Sequence, residues 1–477
     1  MKISDYVELD GLGLAELVRL GQVSPTEVLE VACAALDQVN SRLNAVVESL
    51  RAEAEQEIHH GLPIGPFAGV PFLIKALGPF YAGKATTMGS RLFQSYVAPC
   101  DSELMARYRR AGLVTLGKTN LPELGVSFST EPELYGPCRN PWDLEQSPGG
   151  SSGGAAAAVA ARMVPMAHGN DAGGSIRVPA SACGLFGFKP TRGRMPTAPF
   201  GEAVFGLAID HALTRSVRDS AALLDATLGE DAGPPYGAPT PARPFLAEVT
   251  VPPGRLRIAL VEESWSGDAI SPDCREALRH TAHLCQSLGH EIVPARPTVD
   301  GKVVGAVLGD LMGVFVSHLL DDFCPRLHLR PDASNLEPAT LAWAAHGRGL
   351  TANQLASALG ARDMLARTLG QFFTKFDLIL SPTLARTPIP LGAFRYDHPP
   401  SARAVADALF SYAPFTALFN LTGNPAMSVP LHVSECGQPV GVQFVAPFAA
   451  DATLFRLAGQ LEQAAPWAHR KPTCVAR

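Results

Sequence analysis

SPGGSSGG, residues 147–154, sets two adjacent serines between two glycine pairs. Glycine at that density strips side chains from a stretch of backbone, as a chain does where something must approach closely. Gly149-Gly150-Ser151-Ser152-Gly153 also fits G-x-S-x-G, the nucleophile elbow of many serine hydrolases. On that reading Ser151 performs an esterase-type attack from an α/β-hydrolase sheet. The elbow needs a strand before the serine, and RNPWDLEQSP (139–148) is broken by Pro141, Pro148 and several charges. No later histidine stands in a recognisable loop motif that would supply the base.

Around this stretch the chain offers 477 residues, 47% hydrophobic and 18% charged, with a formal net charge of −6. That is enough to bury a large core. Mild acidity spread along the chain, with no basic run, argues against nucleic acid or an anionic membrane as the main partner. MKISDYVELDG carries acids where a signal peptide has a basic segment, and no uninterrupted apolar run of 18 residues appears. Nine scattered cysteines form no C-x-x-C pair, which reads as reduced thiols and a cytoplasmic location. His280-x-x-His283 lacks a third ligand, so no metal or other cofactor is expected.

Ser24-Pro25-Thr26-Glu27 is a helix start, with an N-cap serine, proline at the first helical position and glutamate three residues on. The helix is expected to run to about Asn40. GPFAGVPFLIKAL (65–77) reads as a turn and an apolar strand ending near Lys75. Helices are expected over 102–111 and 153–162, and strands over 112–117 and 164–168. The Pro/Gly-rich 230–256 is an exposed connection. Beyond it RIALVEES (257–264), a helix near 272–288 and HEIVPA (290–295) form a β-α-β pattern. Helices fill about 300–373 before the strand DLILSPT (377–383). Alternating strands and helices indicate an α/β fold.

Gly112-Leu-Val-Thr-Leu-Gly117-Lys118-Thr119 fits the phosphate-binding pattern G-x-x-x-x-G-K-[ST], but its spacer favours a strand over a phosphate-wrapping loop. GNDAGGSIRVPASACG (169–184) places Ser175 after two glycines, a turn able to present successive backbone N–H groups as an oxyanion hole does. A plain glycine turn with a capping serine would read the same. Ser151 and Ser175 lie 24 residues apart, both in glycine turns, with Lys75 upstream at a strand end.

Lys75 in GVPFLIK, GKTNLPE (117–123), PGGSSGG and the D-x-GGSIR-x-PA of 171–180 together resemble the amidase signature family. FGFKPTRGR (186–194), TRSVRD (214–219), SPT (381–383), FNLTGNPAMSVP (419–430) and GVQFV (441–445) continue the match over most of the chain. The resemblance implies one α/β/α domain over 1–477 around a central mixed sheet. Its catalytic block would span about 65–220, with substrate-shaping helices at about 300–373. It implies a C–N hydrolase using a Ser-cisSer-Lys triad without a cofactor. Ser175 would be the nucleophile, Ser151 a bridging serine after a cis Gly150–Ser151 peptide, and Lys75 the base. Backbone N–H groups near Ala172, Gly173, Gly174 and Ser175 would hold the oxyanion.

That chemistry suits the residue types. A serine hydroxyl needs a base within hydrogen-bond reach, and a lysine serves only when neutral. Burial at the end of Val70–Ile74 would lower the Lys75 pKa. Asp171 and Arg177 are expected to brace the loop, Ser152 to cap the following helix, His168 to be a core histidine and Cys183 a small buried residue. Ala76 stands where many relatives carry an acid, and Asn170 where many carry threonine; neither is expected to touch the triad. AHGNDAGGSIRVPASACG and the ending PWAHRKP look most similar to 6-aminohexanoate-cyclic-dimer hydrolases and allied amidases. The partners implied are water and a small amide or carbamate (cyclic or linear oligoamide, or anilide), with esterase or urethanase side activity, for a monomer or homodimer. Phe128, Phe200, Phe205 and the 300–350 helices are the pocket candidates. Competing readings are an amidotransferase-type subunit releasing ammonia within a complex, and a non-catalytic scaffold.

Overall fold

The computed structural model describes residues 1–477. Its strands are β1 (Val46–Ser49), β2 (Pro71–Lys75), β3 (Val114–Thr119), β4 (Met166–Asp171), β5 (Phe186–Lys189) and β6 (Ile209–Thr214). They continue as β7 (Arg257–Leu260), β8 (Glu291–Pro294), β9 (Leu378–Pro382), β10 (Ala426–Val433) and β11 (Pro439–Val445). All eleven join one sheet in the order β1-β3-β2-β4-β6-β5-β10-β11-β9-β7-β8. The sheet is mixed, as expected: β2 runs parallel to β3 and β4, and β7 to β8 and β9, while the pairs between these two groups are antiparallel. Every residue of β2, β3, β9 and β11 is buried. Helices cover the sheet, so β2 (PFLIK) and β9 (LILSP) read as largely apolar runs rather than as alternation.

The two halves of the chain interlock through the sheet. β5, from before the 230–256 connection, pairs with β10 from after it, Lys189 lying opposite Ala426. Strands β1, β5, β6, β10 and β11 escape the sequence reading. β5 is four residues long, β6 carries Asp210 and His211, and β10 and β11 contain Pro430 and Pro439.

The helix begun by Ser24 runs Pro25–Leu43 and carries a complete capping box, a device worth about 1 kcal/mol. The alanine-rich helix Gly153–Ala160 is buried throughout, its small side chains letting it lie close against the sheet. The phosphate-loop look-alike is strand β3, where Lys118 Nζ donates to the Ala85 carbonyl and pairs with Glu48 at 3.4 Å. Helix Gly301–His318 continues through a π-helical turn, Leu319–Phe323, to Arg326. This segment is long and apolar enough to cross a membrane, with mean hydropathy 1.9, yet half of it is buried inside the molecule. Asp310 on it pairs with His346 of the packed helix Pro338–Gly349 at 2.8 Å.

Candidate active site

Parallel strands β2 and β4 end on the same edge of the sheet, where open α/β sheets place their ligands. Lys75 is the last residue of β2, and Asn170 and Asp171 are the last of β4. The Gly150–Ser151 peptide is cis, and the SPGGSSGG turn threads between backbones that leave no room for a side chain. A Cβ on Gly150 would stand 2.7 Å from the Ser127 carbonyl oxygen, and one on Gly154 would collide with the backbone of Asn120 and Ala45. The glycines thus deliver Ser151 to Lys75, with a hydrogen bond of 2.7 Å between Nζ and Oγ. No strand precedes Ser151, so the geometry of an elbow is missing.

Lys75 Nζ has two further partners, Asn170 Oδ1 at 2.6 Å and Ser152 Oγ at 3.1 Å. Both correct the sequence reading. Asn170 touches the lysine directly, and Ser152, although it stands at the N-cap position, makes no capping bond. The Ser152 hydroxyl is instead committed to the buried amine, which would otherwise lack one of its acceptors. Asn170 Nδ2 donates to the Leu77 carbonyl at 3.0 Å, which turns its Oδ1 toward the lysine. Ser152 Oγ donates to the Asn170 carbonyl at 3.3 Å. A neutral amine has two N–H donors and one lone pair, and Asn170 and Ser152 take the two donors. The lone pair is left facing the Ser151 hydroxyl. An ammonium would be satisfied by the same three oxygens, so a proton can pass along the Ser151–Lys75 bond without any side chain turning.

Burial lowers the Lys75 pKa to about 7, against the opposing pull of the Asp210 and Asp171 carboxylates. His168 is fully buried, as a core histidine should be. The Lys75 N–H donates to its Nδ1 at 3.3 Å and its Nε2 lies 2.9 Å from Asp210 Oδ1. A backbone N–H can only donate, so Nδ1 is the acceptor and the ring proton sits on Nε2. Burial also depresses the His168 pKa and keeps the ring neutral.

The 171–177 turn is held by its carbonyls. The Asp171 carbonyl accepts from Asn420 Nδ2 at 2.8 Å, that of Gly173 from Thr416 Oγ1 at 2.6 Å, and that of Gly174 from the Val178 N–H at 2.7 Å. Because each peptide is planar, pinning its oxygen aims the N–H of the next residue the opposite way. None of the N–H groups of Ala172, Gly173, Gly174 and Ser175 donates within the protein. Ser175 Oγ is likewise uncommitted and makes no hydrogen bond to Ser151 Oγ; the two turns join where the Ser152 N–H donates to the Ser175 carbonyl at 3.2 Å.

Asp171 and Arg177 are fully buried and form a two-pronged pair, both contacts at 2.9 Å. Burial alone would push the Asp171 carboxyl up, but the Arg177 guanidinium holds it well below the usual carboxylate range. Arg177 also reaches the Thr416 carbonyl, Gln443 Oε1 and Asn420 Oδ1 at 3.0, 2.7 and 2.6 Å. Sequence reading missed Thr416, Asn420 and Gln443 as individual residues. The latter two sit in the FNLTGNPAMSVP and GVQFV stretches, which was the available signal.

Gly174 has φ +143°, and a Cβ there would lie 2.5 Å from Thr416 Oγ1. Gly174→Ala is expected to lower kcat by about 100-fold, the scale of a 1 Å misplacement, with a smaller change in KM by steady-state kinetics. Of the pocket candidates, Phe128 and Leu308 of the 301–318 helix stand over the turn, 3.9 and 3.5 Å from where a Cβ on Gly173 would be. Phe200 is exposed and packs on Phe80, while Phe205 lies against the main core. A cavity of about 520 Å³ borders the same 122–129 segment, lined by Val126, Ser127, Glu123 and Glu337 among others. Cys183 is a buried thiol whose pKa burial raises.

A family model described as Amidase matches residues 27–455. The chain belongs to the amidase signature family. Across 97% of its length the amidase is 37% identical to a 6-aminohexanoate-cyclic-dimer hydrolase of Pseudomonas sp. (strain NK87), covering 96% of that protein. Its fold matches a solved 6-aminohexanoate cyclic dimer hydrolase with TM-score 0.93 at 35% identity, over 98% of this chain and 99% of the other. A bacterial aryl acylamidase of the amidase signature family matches with TM-score 0.87 at 26% identity, over 96% and 97% of the two chains. The amidase is thus an amide-hydrolysing enzyme of the class that acts on carbon–nitrogen bonds other than peptide bonds.

Proposed function

We propose that this chain hydrolyses small amides as a free-standing enzyme, through an acyl-enzyme on Ser175 relayed by Ser151 to Lys75. The observation that carries the reading is the Lys75–Ser151 bond of 2.7 Å at a lysine whose other two partners are oxygens locked as acceptors. Lys75 in its neutral form takes the Ser151 proton as Ser151 takes that of Ser175. Ser175 Oγ attacks the carbonyl carbon, and the oxyanion settles on the N–H groups of Ala172, Gly173, Gly174 and Ser175. One such donor is worth about 3–4 kcal/mol in the transition state. On collapse the C–N bond breaks, the proton returns through Ser151 to the leaving amine, and water releases the acid by the same path.

Phe128 and Leu308 give the attacked carbonyl an apolar flank, which supports methylene-rich or aryl acyl groups. Cyclic and linear oligoamides, anilides and carbamates are the substrate classes in reach, with esters as a side activity. All nine cysteines are unpaired, with only Cys100 and Cys436 exposed, which supports a cytoplasmic setting. The relay and turn all come from one chain, which supports a site complete in one domain of a monomer or homodimer.

The purified protein alone is expected to turn over anilides and small oligoamides. Only neutral Lys75 accepts a proton, and its value lies near 7. kcat/KM is therefore expected to rise with pH through about 7, level off above it, and fall tenfold per unit below. A protein inert on all these classes until another subunit is added would favour the amidotransferase reading.

A further inference from the structure

We infer that Asp210, acting through His168, is a positioning residue for Lys75: it orients the ring that holds the lysine's backbone and sets the pH range in which the lysine works. The inference rests on Lys75 being the base. Three neighbouring strands carry the connection, with Asp210 on β6, His168 on β4 and Lys75 at the end of β2. Burying an imidazole is unfavourable unless both ring nitrogens find partners. Here both do, one with the catalytic lysine's own N–H and the other with a carboxylate. Asp210 makes the proton sit on Nε2; were it on Nδ1, two N–H groups would face each other and the end of β2 would be pushed away. The carboxylate therefore decides which ring nitrogen meets Lys75.

The second effect is electrostatic. The groups facing Lys75 from the elements around it are Ser151 and Ser152 of the glycine turn, Asn170, His168 and Asp171 of β4, and Asp210 of β6. The first four are neutral. Asp171 carries charge, but Arg177 answers it with two hydrogen bonds. The partner of Asp210 is a neutral ring, so no cation answers its charge, which acts on the lysine from the far side of His168. Tyr108 also lies near, its ring against His168. On the outer side, Asp210 lines a small cavity with Glu202, Glu230, Asp231 and Tyr236, and its side chain is 27% exposed. This arrangement opposes the burial that strips the proton from Lys75, and a net negative neighbour raises the pH at which the base becomes free.

The test is the pH profile of Asp210→Asn, which can still accept the His168 proton but carries no charge. The acid limb of kcat/KM is expected to move down by about one pH unit. Asp210→Ser serves as the second neutral variant should the first fold poorly. His168→Leu, which removes the acceptor of the Lys75 N–H, should lower the rate at high pH as well. A readout independent of turnover comes from lysine labelled with 13C at Cε, where the signal lost in Lys75→Met identifies the residue. Its titration should shift downward in Asp210→Asn by the same amount. A limb and a titration that both stay put overturn the inference. A wild-type enzyme with no amide hydrolysis but a Lys75 signal that shifts would sink the functional reading and leave the Asp210–Lys75 linkage standing.

Discussion

With Ser175 replaced by alanine, amide hydrolysis is expected to fall by at least about 10⁴-fold, the scale on which removing a serine nucleophile acts. The loss should come without unfolding, because Ser175 Oγ makes no hydrogen bond within the protein and the turn around it is held by backbone carbonyls. Mass spectrometry of wild type quenched during turnover of an activated substrate should find the acyl group on the peptide carrying Ser175. Ser151→Ala should also be strongly impaired, since it cuts the path to Lys75, yet its slow residual acylation should remain on Ser175. An acyl group on Ser151 or Ser152 would restore the elbow and remove the relay.

The second large effect is on stability. Arg177→Leu is expected to destabilise the fold by about 3–5 kcal/mol, the range for removing one partner of a buried ion pair. The cause is the carboxylate left behind, since Asp171 is fully buried and loses both prongs of its counter-ion. Asn420 and Gln443 lose a donor at the same stroke. The pH dependence has a definite sign. The Asp171 carboxyl is held low in the folded protein, so its stabilisation is present above the ordinary carboxylate value and is lost as pH falls through the lowered one. In the variant that depressed value disappears, and mild acid should help rather than harm by neutralising the orphaned group. Denaturant unfolding of both proteins at pH 7 and pH 5 reads the difference. An unfolding midpoint unchanged at pH 7 would contradict the bracing role.

How far the chain could be read from its letters depended on distance along it. Lys75, Ser151 and the 171–177 turn are local motifs; their residue types alone left a plain glycine turn open, and the resemblance to the amidase signature family is what pointed to a lysine-based relay. The strands with continuous apolar runs, such as β2 and β9, were legible for the same reason, while short or proline-bearing ones such as β5 and β11 were not. The errors concentrate on side-chain choices settled by tertiary contact. Ser152 sits where a cap belongs and bonds the lysine instead; Asn170 looked like an idle departure and is the lysine's shortest partner. Thr416 and Asn420 lie more than 240 residues from the carbonyls they pin, and no spacing rule connects them. Asp210 is invisible for a different reason: a lone acid on a mixed-polarity strand carries no pattern until β6 is laid beside β4.

Those long-range pins bear on when, during synthesis, the turn can take its shape. Ser175 leaves the ribosome long before Thr416, Asn420 and Gln443 exist, and nothing local can hold the carbonyls of Asp171 and Gly173 in their place. A growing chain thus carries the 171–177 turn without its distant pins, and β10, the strand that joins the two halves of the sheet, is likewise still to come. The turn therefore takes its final shape only with the last stretch of synthesis.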